Sequence, residues 1–161
     1  MKRIALLPLL MLLVGSLWAQ CPKEKAGTPF PEISVTGVNG QKLTTSMLPV
    51  GQPIVIIYFD PFCDHCEQQA KWIKEKIDAF KGVTIVWITW GELEDMKNFA
   101  AKNFAGVTKN DMVFTKDTDY AMDSWFGYSE VPSIYIYNKE RVRTMCFSKE
   151  TPADELLKWI K

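Results

Sequence analysis

The chain has 161 residues, with 19 basic side chains, 19 acidic ones and a formal net charge of zero. That length suits one domain with a real core, and the balanced charge argues against a surface built to hold nucleic-acid phosphates. Composition is ordinary for a folded domain, and no internal repeat or low-complexity tract interrupts it.

Lys2 and Arg3 precede an apolar run from Ile4 to Val14, too short to span a bilayer comfortably. Small residues follow towards Ala19, so residues 1–19 read as an export signal cleaved after Ala19, with Leu17 at the −3 position. Loss of Lys2 and Arg3 leaves 17 basic against 19 acidic side chains, a charge of −2. A lipoprotein signal ending before Cys21 is the second reading, which makes Cys21 a lipid anchor, although Gln20 replaces the usual small residue before it. An uncleaved membrane anchor ranks third. All three readings place the domain in the periplasm or cell envelope, where disulfide chemistry is normal.

Residues 20–31 are polar and proline-rich, an extended lead-in, and residues 32–161 form the folded domain. Phe30 to Val38 carries a short strand, ended by the turn signal Asn39-Gly40. Ile54 to Phe59 is continuous and β-branched, which predicts a strand buried on both faces. After Cys63 a helix runs to about Phe80, with Ala70, Ile73, Ile77 and Phe80 at helical spacing and Gly82 beyond its end. Val83 to Ile88 is a second buried strand, Glu92 to Phe104 a helix, Met112 to Phe114 a short strand and Thr118 to Phe126 a short helix. Ser133 to Tyr137 and Val142 to Phe147 form a hairpin, and a terminal helix carries Leu156, Leu157 and Ile160. Strands alternating with helices predict parallel pairing, and the closing hairpin adds an antiparallel edge. The expected fold class is α/β, a mixed central sheet with helices on both faces.

Cys63-Asp64-His65-Cys66 sits between the first buried strand and the first helix. The i, i+3 spacing puts both sulfurs on one side of the first helical turn, within reach of a disulfide. Unpaired N–H groups at a helix start favour thiolate over thiol, so the stretch reads as a reactive dithiol. A zinc site needs four ligands, and Cys21, Cys146 and His65 stand at unmatched spacing, so no metal is expected there. A purely structural bridge over so small a loop would restrict the unfolded chain little.

The Cys-x-x-Cys after a buried strand, together with Val131-Pro132-Ser133 before the hairpin, resembles the thioredoxin superfamily. Thr28-Pro29-Phe30-Pro31, Val35 and Gly40-Gln41-Lys42-Leu43 look like the N-terminal hairpin of its TlpA/ResA-type redoxins, of the AhpC/TSA-like group. The resemblance implies a thioredoxin-like sheet with an N-terminal β-hairpin extension. It also implies a cis-proline at Pro132 beside the dithiol, where a missing N–H leaves a gap for substrate backbone. The implied activity is thiol–disulfide oxidoreduction in the envelope, without a cofactor. Partners would be protein thiols or disulfides and an upstream thiol–disulfide donor, with no nucleic acid.

Cys63 is the expected nucleophile and Cys66 the resolving thiol. Val131, Pro132, Phe62 and Trp125 are the expected substrate-binding residues. His65 and Asp64 are the expected tuners: a cationic imidazole stabilises a thiolate and a carboxylate opposes it. His65 reads equally as a solvated surface residue. The sequence departs from the family pattern at Phe62 for tryptophan, Asp64-His65 for Gly-Pro or Pro-Pro, Ser133 for threonine, and Ile57 where thioredoxin buries an acid. The missing acid leaves the proton acceptor for Cys66 open, with Asp60 and Glu67 nearest and more readily solvent-facing. Cys146 is most simply a buried thiol, with a Cys21–Cys146 disulfide as the sharper reading. Two other functions compete. A peroxiredoxin-like peroxidase would carry threonine where Asp60 stands, and a metal chaperone of the Sco type would have three residues between its cysteines and a distal histidine.

Overall fold

A computed structural model describes residues 27–108, 111–127 and 130–160. The export signal and Cys21, with its lipid-anchor and disulfide readings, lie outside the described residues.

Seven strands form one sheet: β1 Ser34–Gly37, β2 Lys42–Thr44, β3 Ile54–Tyr58, β4 Thr84–Thr89, β5 Met112–Lys116, β6 Ser133–Tyr137 and β7 Arg143–Phe147. Their spatial order is β2-β1-β5-β4-β3-β6-β7. The central β3, β4 and β5 run parallel, as continuous apolar strands joined by helices must. β6 lies antiparallel to β3, and β1 antiparallel to β5. The sheet is thus mixed, as its sequence predicts, and β2 adds a strand that the residues alone did not reveal. The hairpin implied by resemblance is β1–β2, in register Ser34–Thr44, Val35–Leu43 and Thr36–Lys42.

Helices α1 Asp64–Glu75, α2 Leu93–Phe104 and α4 Ala153–Leu157 join one core with Val55, Ile57, Phe59, Ile85 and Trp87, while α3 Ala121–Phe126 packs in the other. Alternation along β3 explains the division: odd residues face the first core and Ile54, Ile56 and Tyr58 the second. Trp87 is fully buried, with Phe59, Phe99, Phe104 and Phe114 around its ring. On the second face α3 shares the cover with the lead-in, whose Phe30 meets the Tyr137 ring edge-on at 4.7 Å.

β1 covers only Ser34–Gly37 of the expected Phe30–Val38, and three helices are shorter than their apolar patterns suggest. α1 stops at Glu75, and Ile77–Phe80 continues as a 3-10 turn that still buries Phe80. Residues three apart eclipse in a 3-10 turn, so an apolar pattern alone does not separate it from α-helix. α3 begins at Ala121 because Tyr120 sits at φ +52° and the Asp117 carboxylate accepts the N–H groups of Ala121 and Met122, at 2.8 and 2.9 Å. α4 ends at Leu157, leaving Ile160 beyond it.

The β6–β7 turn is built around Arg141, which has a φ of +61°. Its guanidinium donates to the carbonyls of Thr45, Leu48 and Pro49 at 2.9, 2.8 and 3.2 Å and lies 5.0 Å above the Phe30 ring.

Candidate active site

β3 delivers the chain to the dithiol. Its last residue, Tyr58, is followed by buried Phe59 and by Asp60, whose carboxylate accepts the Phe62 N–H at 2.8 Å and whose carbonyl accepts the Cys63 N–H at 3.2 Å. Those bonds form a tight turn that places Cys63 at the N-cap of α1. Pro61 backs the turn from below: a side chain at Gly91 would meet it at 3.2 Å. The Cys66 N–H then donates to the Cys63 carbonyl at 3.0 Å, so both cysteines share the first helical turn. Both are thiols in this structure.

The two sulfurs occupy different environments. Cys63 is partly exposed and its Sγ lies 3.8 Å from the Val131 carbonyl. Cys66 is fully buried against Ala70, Ile73 and their neighbours. Burial pushes the Cys66 thiol well above the ordinary thiol range; the Cys63 sulfur and the Asp60 charge add to this, against a backbone hydrogen bond at Asp60. Val131-Pro132 is a cis peptide bond, and Pro132 is buried beside the exposed Cys63 rim. Ser133 Oγ donates to the Glu130 carbonyl at 2.6 Å and fastens that loop.

Among the expected site residues, Cys63, Cys66, Val131, Pro132 and Phe62 come together at one end of β3. Phe62 is 78% exposed. Trp125 stands on α3, 49% exposed, and no ring contact joins it to Phe62 among the described residues. Trp90 packs on Tyr58 with ring centroids 5.1 Å apart. Burial, reinforced by Asp123 and Asp117, pushes the Tyr58 hydroxyl well above the usual tyrosine range.

Asp64 is exposed, and His65 points its Nδ1 to Glu150 Oε1 at 3.0 Å. Glu150 was not anticipated. Four residues on from His65, buried Gln69 accepts the Thr151 N–H at 2.7 Å through Oε1, and its Nε2 has no partner among the described residues. His65 and Gln69 stand one turn apart on the same face of α1, and together they hold the loop after β7. That i, i+4 polar pair was the available signal. Of the two nearby acids, Glu67 is held by Lys102 at 2.6 Å, while Asp60 keeps an electrostatic influence on Cys66. Cys146 is buried opposite Tyr135 in the second core. Among the described residues no cluster of three or more His, Cys, Asp and Glu side chains could hold a metal ion.

A groove of about 1240 Å³ lies elsewhere, between the β1–β2 hairpin and the sheet, lined by Ile33, Leu43, Ile56, Val86 and Val113. None of the dithiol residues borders it.

A parallel-centred sheet with a cysteine pair opening its first helix and a cis-proline against the exposed sulfur defines a thioredoxin-like redoxin fold. Within that class, the chain belongs to the AhpC/TSA family, whose pattern matches residues 26–144. The solved structures it is similar to share the fold. One is a secreted Mycobacterium tuberculosis disulfide oxidoreductase homologous to E. coli DsbE, at 21% identity and TM-score 0.65, covering 79% of this chain and 92% of that one. A second is M. tuberculosis DsbF, at 20% identity and TM-score 0.66, with coverage of 80% and 95%. A third is a peroxiredoxin-like protein from Aquifex aeolicus, at 18% identity and TM-score 0.68, with coverage of 85% and 86%. No curated protein matches the sequence.

Proposed function

We propose that the protein is a thiol–disulfide oxidoreductase of the cell envelope that exchanges the Cys63–Cys66 couple with cysteines of other proteins. The observation that carries this reading is the pairing of a partly exposed Cys63, 3.8 Å from the carbonyl preceding Pro132, with a buried Cys66 one turn inside.

In the reducing direction, the Cys63 thiolate attacks one sulfur of a substrate disulfide, forming a mixed disulfide and releasing the other sulfur as thiolate. Cys66 then gives up its proton and attacks Cys63, releasing the second substrate thiol. Two electrons and two protons pass from protein to substrate, and an upstream dithiol donor returns them. The oxidising direction is the same sequence reversed. Val131 offers its carbonyl, and Pro132, lacking an N–H, leaves room for substrate backbone beside it. Phe62 and Trp125 supply apolar surface. Asp60, whose charge acts on Cys66, takes the Cys66 proton, a role favoured over Glu67 because Glu67 is tied to Lys102. Asp64 and His65 tune the couple from opposite sides. Residues 1–19 act as the export signal.

The test is equilibration of the protein in glutathione buffers, with the thiol state of Cys63 and Cys66 read by mass, alongside Cys63→Ser. A reversible two-electron couple in the wild type that disappears in the variant supports the assignment. Absence of any couple in the wild type removes it. Rapid peroxide consumption by the reduced protein would instead favour the peroxidase reading, despite Asp60 in the threonine position.

A further inference from the structure

The chain as a whole is electrically balanced, but the rim of the dithiol is not. Asp64 stands between the cysteines and is exposed. Asp60 closes the turn before Cys63. Glu130 is exposed and adjoins Val131, whose carbonyl faces the Cys63 sulfur. Burial and then the Asp123 charge on α3 push up the Tyr58 hydroxyl at the end of β3, and Asp119 is exposed just before that helix. None of these five carboxylates has an ion-pair partner among the described residues. The other acids near this end are already engaged: Glu92 with Lys116, Glu67 with Lys102, and Glu150 with His65. Lys149 is the exposed cation of the neighbouring loop, and Glu150 follows it directly.

The dithiol loop and α3 also carry exposed apolar surface. The described large hydrophobic side chains that stay exposed are Met47, Val50, Phe62, Tyr120 and Trp125. Three of these five belong to the dithiol loop and α3. Tyr120 is 56% exposed at a φ of +52°, held there while Asp117 caps the helix behind it. A bulky residue rarely adopts that backbone region, and here it turns an aromatic ring outward.

We propose that this face selects cysteine-bearing segments that carry lysine or arginine next to an apolar or aromatic residue. The proposal rests on the oxidoreductase reading and specifies its substrate. Unpaired carboxylates beside the dithiol and on α3 attract a cationic partner during encounter and repel an acidic one, an effect worth tenfold or more in association rate at low ionic strength and screened by salt. The exposed rings then hold the apolar residue of the bound segment, and arginine can also stack on them.

The experiment uses the reduced full domain and three octapeptides closed by one internal disulfide: one rich in lysine and leucine, one in lysine and serine, one in glutamate and leucine. Rate constants for their reduction are divided by the rate constant for hydroxyethyl disulfide, a small neutral substrate. At low salt the lysine–leucine peptide should exceed the glutamate–leucine peptide by about tenfold or more, and the ratio should collapse towards one in 0.3 M sodium chloride. Glu130→Gln combined with Asp123→Asn should lower the ratio several-fold, and Trp125→Ala should erase the advantage of leucine over serine. A ratio near one at low salt, or one indifferent to salt and to the charge variants while hydroxyethyl disulfide is reduced normally, overturns the proposal and leaves the oxidoreductase reading standing. Failure to reduce hydroxyethyl disulfide at all overturns both.

Discussion

The burial of Cys66 makes the reduced protein lose stability in mild alkali. In the folded chain the thiol is enclosed and holds its proton well above the ordinary range. In the unfolded chain the same thiol ionises near pH 8.5, an approximate reference value. Below that pH both states keep the proton, and the contribution of the neutral thiol is complete. Above it the unfolded state has released a proton that the folded state retains, so stability falls as pH rises, until the folded thiol itself ionises. Each unit in that window costs about 1.4 kcal/mol, which puts the loss between pH 8 and pH 10 at about 2 kcal/mol. Urea unfolding with a phosphine reductant, from pH 7.5 to 10, measures it. Cys66→Ser is the reference, because it keeps Cys63 and also keeps Tyr58, whose hydroxyl is likewise pushed up by burial. The wild type should lose about 2 kcal/mol more than the variant over that range. Parallel stability curves would refute the claim that the folded Cys66 stays protonated.

Other consequences follow from named contacts. Asp117→Ala removes the acceptor of two α3 N–H groups and should cost about 1–2 kcal/mol; an unchanged urea midpoint would deny the carboxylate its capping role. Cys66→Ser should accumulate mixed disulfides with substrate proteins on a non-reducing gel, whereas Cys63→Ser should not, because only the partly exposed sulfur meets substrate. Glu150→Gln weakens an exposed pair with His65, so the couple's potential should move by no more than about 20 mV; a shift several times larger would show that the pair governs the couple rather than mainly anchoring the loop.

The parts of the fold that were legible are those with local signatures. Ile54 to Phe59 and Val83 to Ile88 announce buried strands by unbroken apolar, β-branched runs, and both lie at the sheet centre. The cysteine pair reads from spacing, and Pro132 from its resemblance to a known pattern. What stayed hidden depends on partners far along the chain. His65 and Glu150 are 85 residues apart, and the neighbouring His65/Gln69 pair marks a polar face of α1 without naming its partner. Arg141 looks like an ordinary turn residue, yet its three acceptors lie more than ninety positions away. The start of α3 was misplaced because a side-chain cap at Asp117 and a left-handed Tyr120 override helix-compatible residues from Thr118 onward. β2, at three residues, is too short to show alternation.

The turn between β6 and β7 has the outward look of a dispensable tip, with Lys139 and Glu140 exposed at its apex. Its Arg141 nevertheless fastens carbonyls of the segment that leads from the hairpin to β3 and covers the Phe30 ring. Grafting a tag or inserting a linker there should loosen the opposite margin of the molecule, although Lys139 and Glu140 themselves are exposed. The Asn39-Gly40 tip, closed by its own bonds between Gly37, Gly40 and Gln41, is the place where added chain should be carried without consequence. Of two similar-looking hairpin ends, one is an attachment point for the fold and the other is free for the engineer.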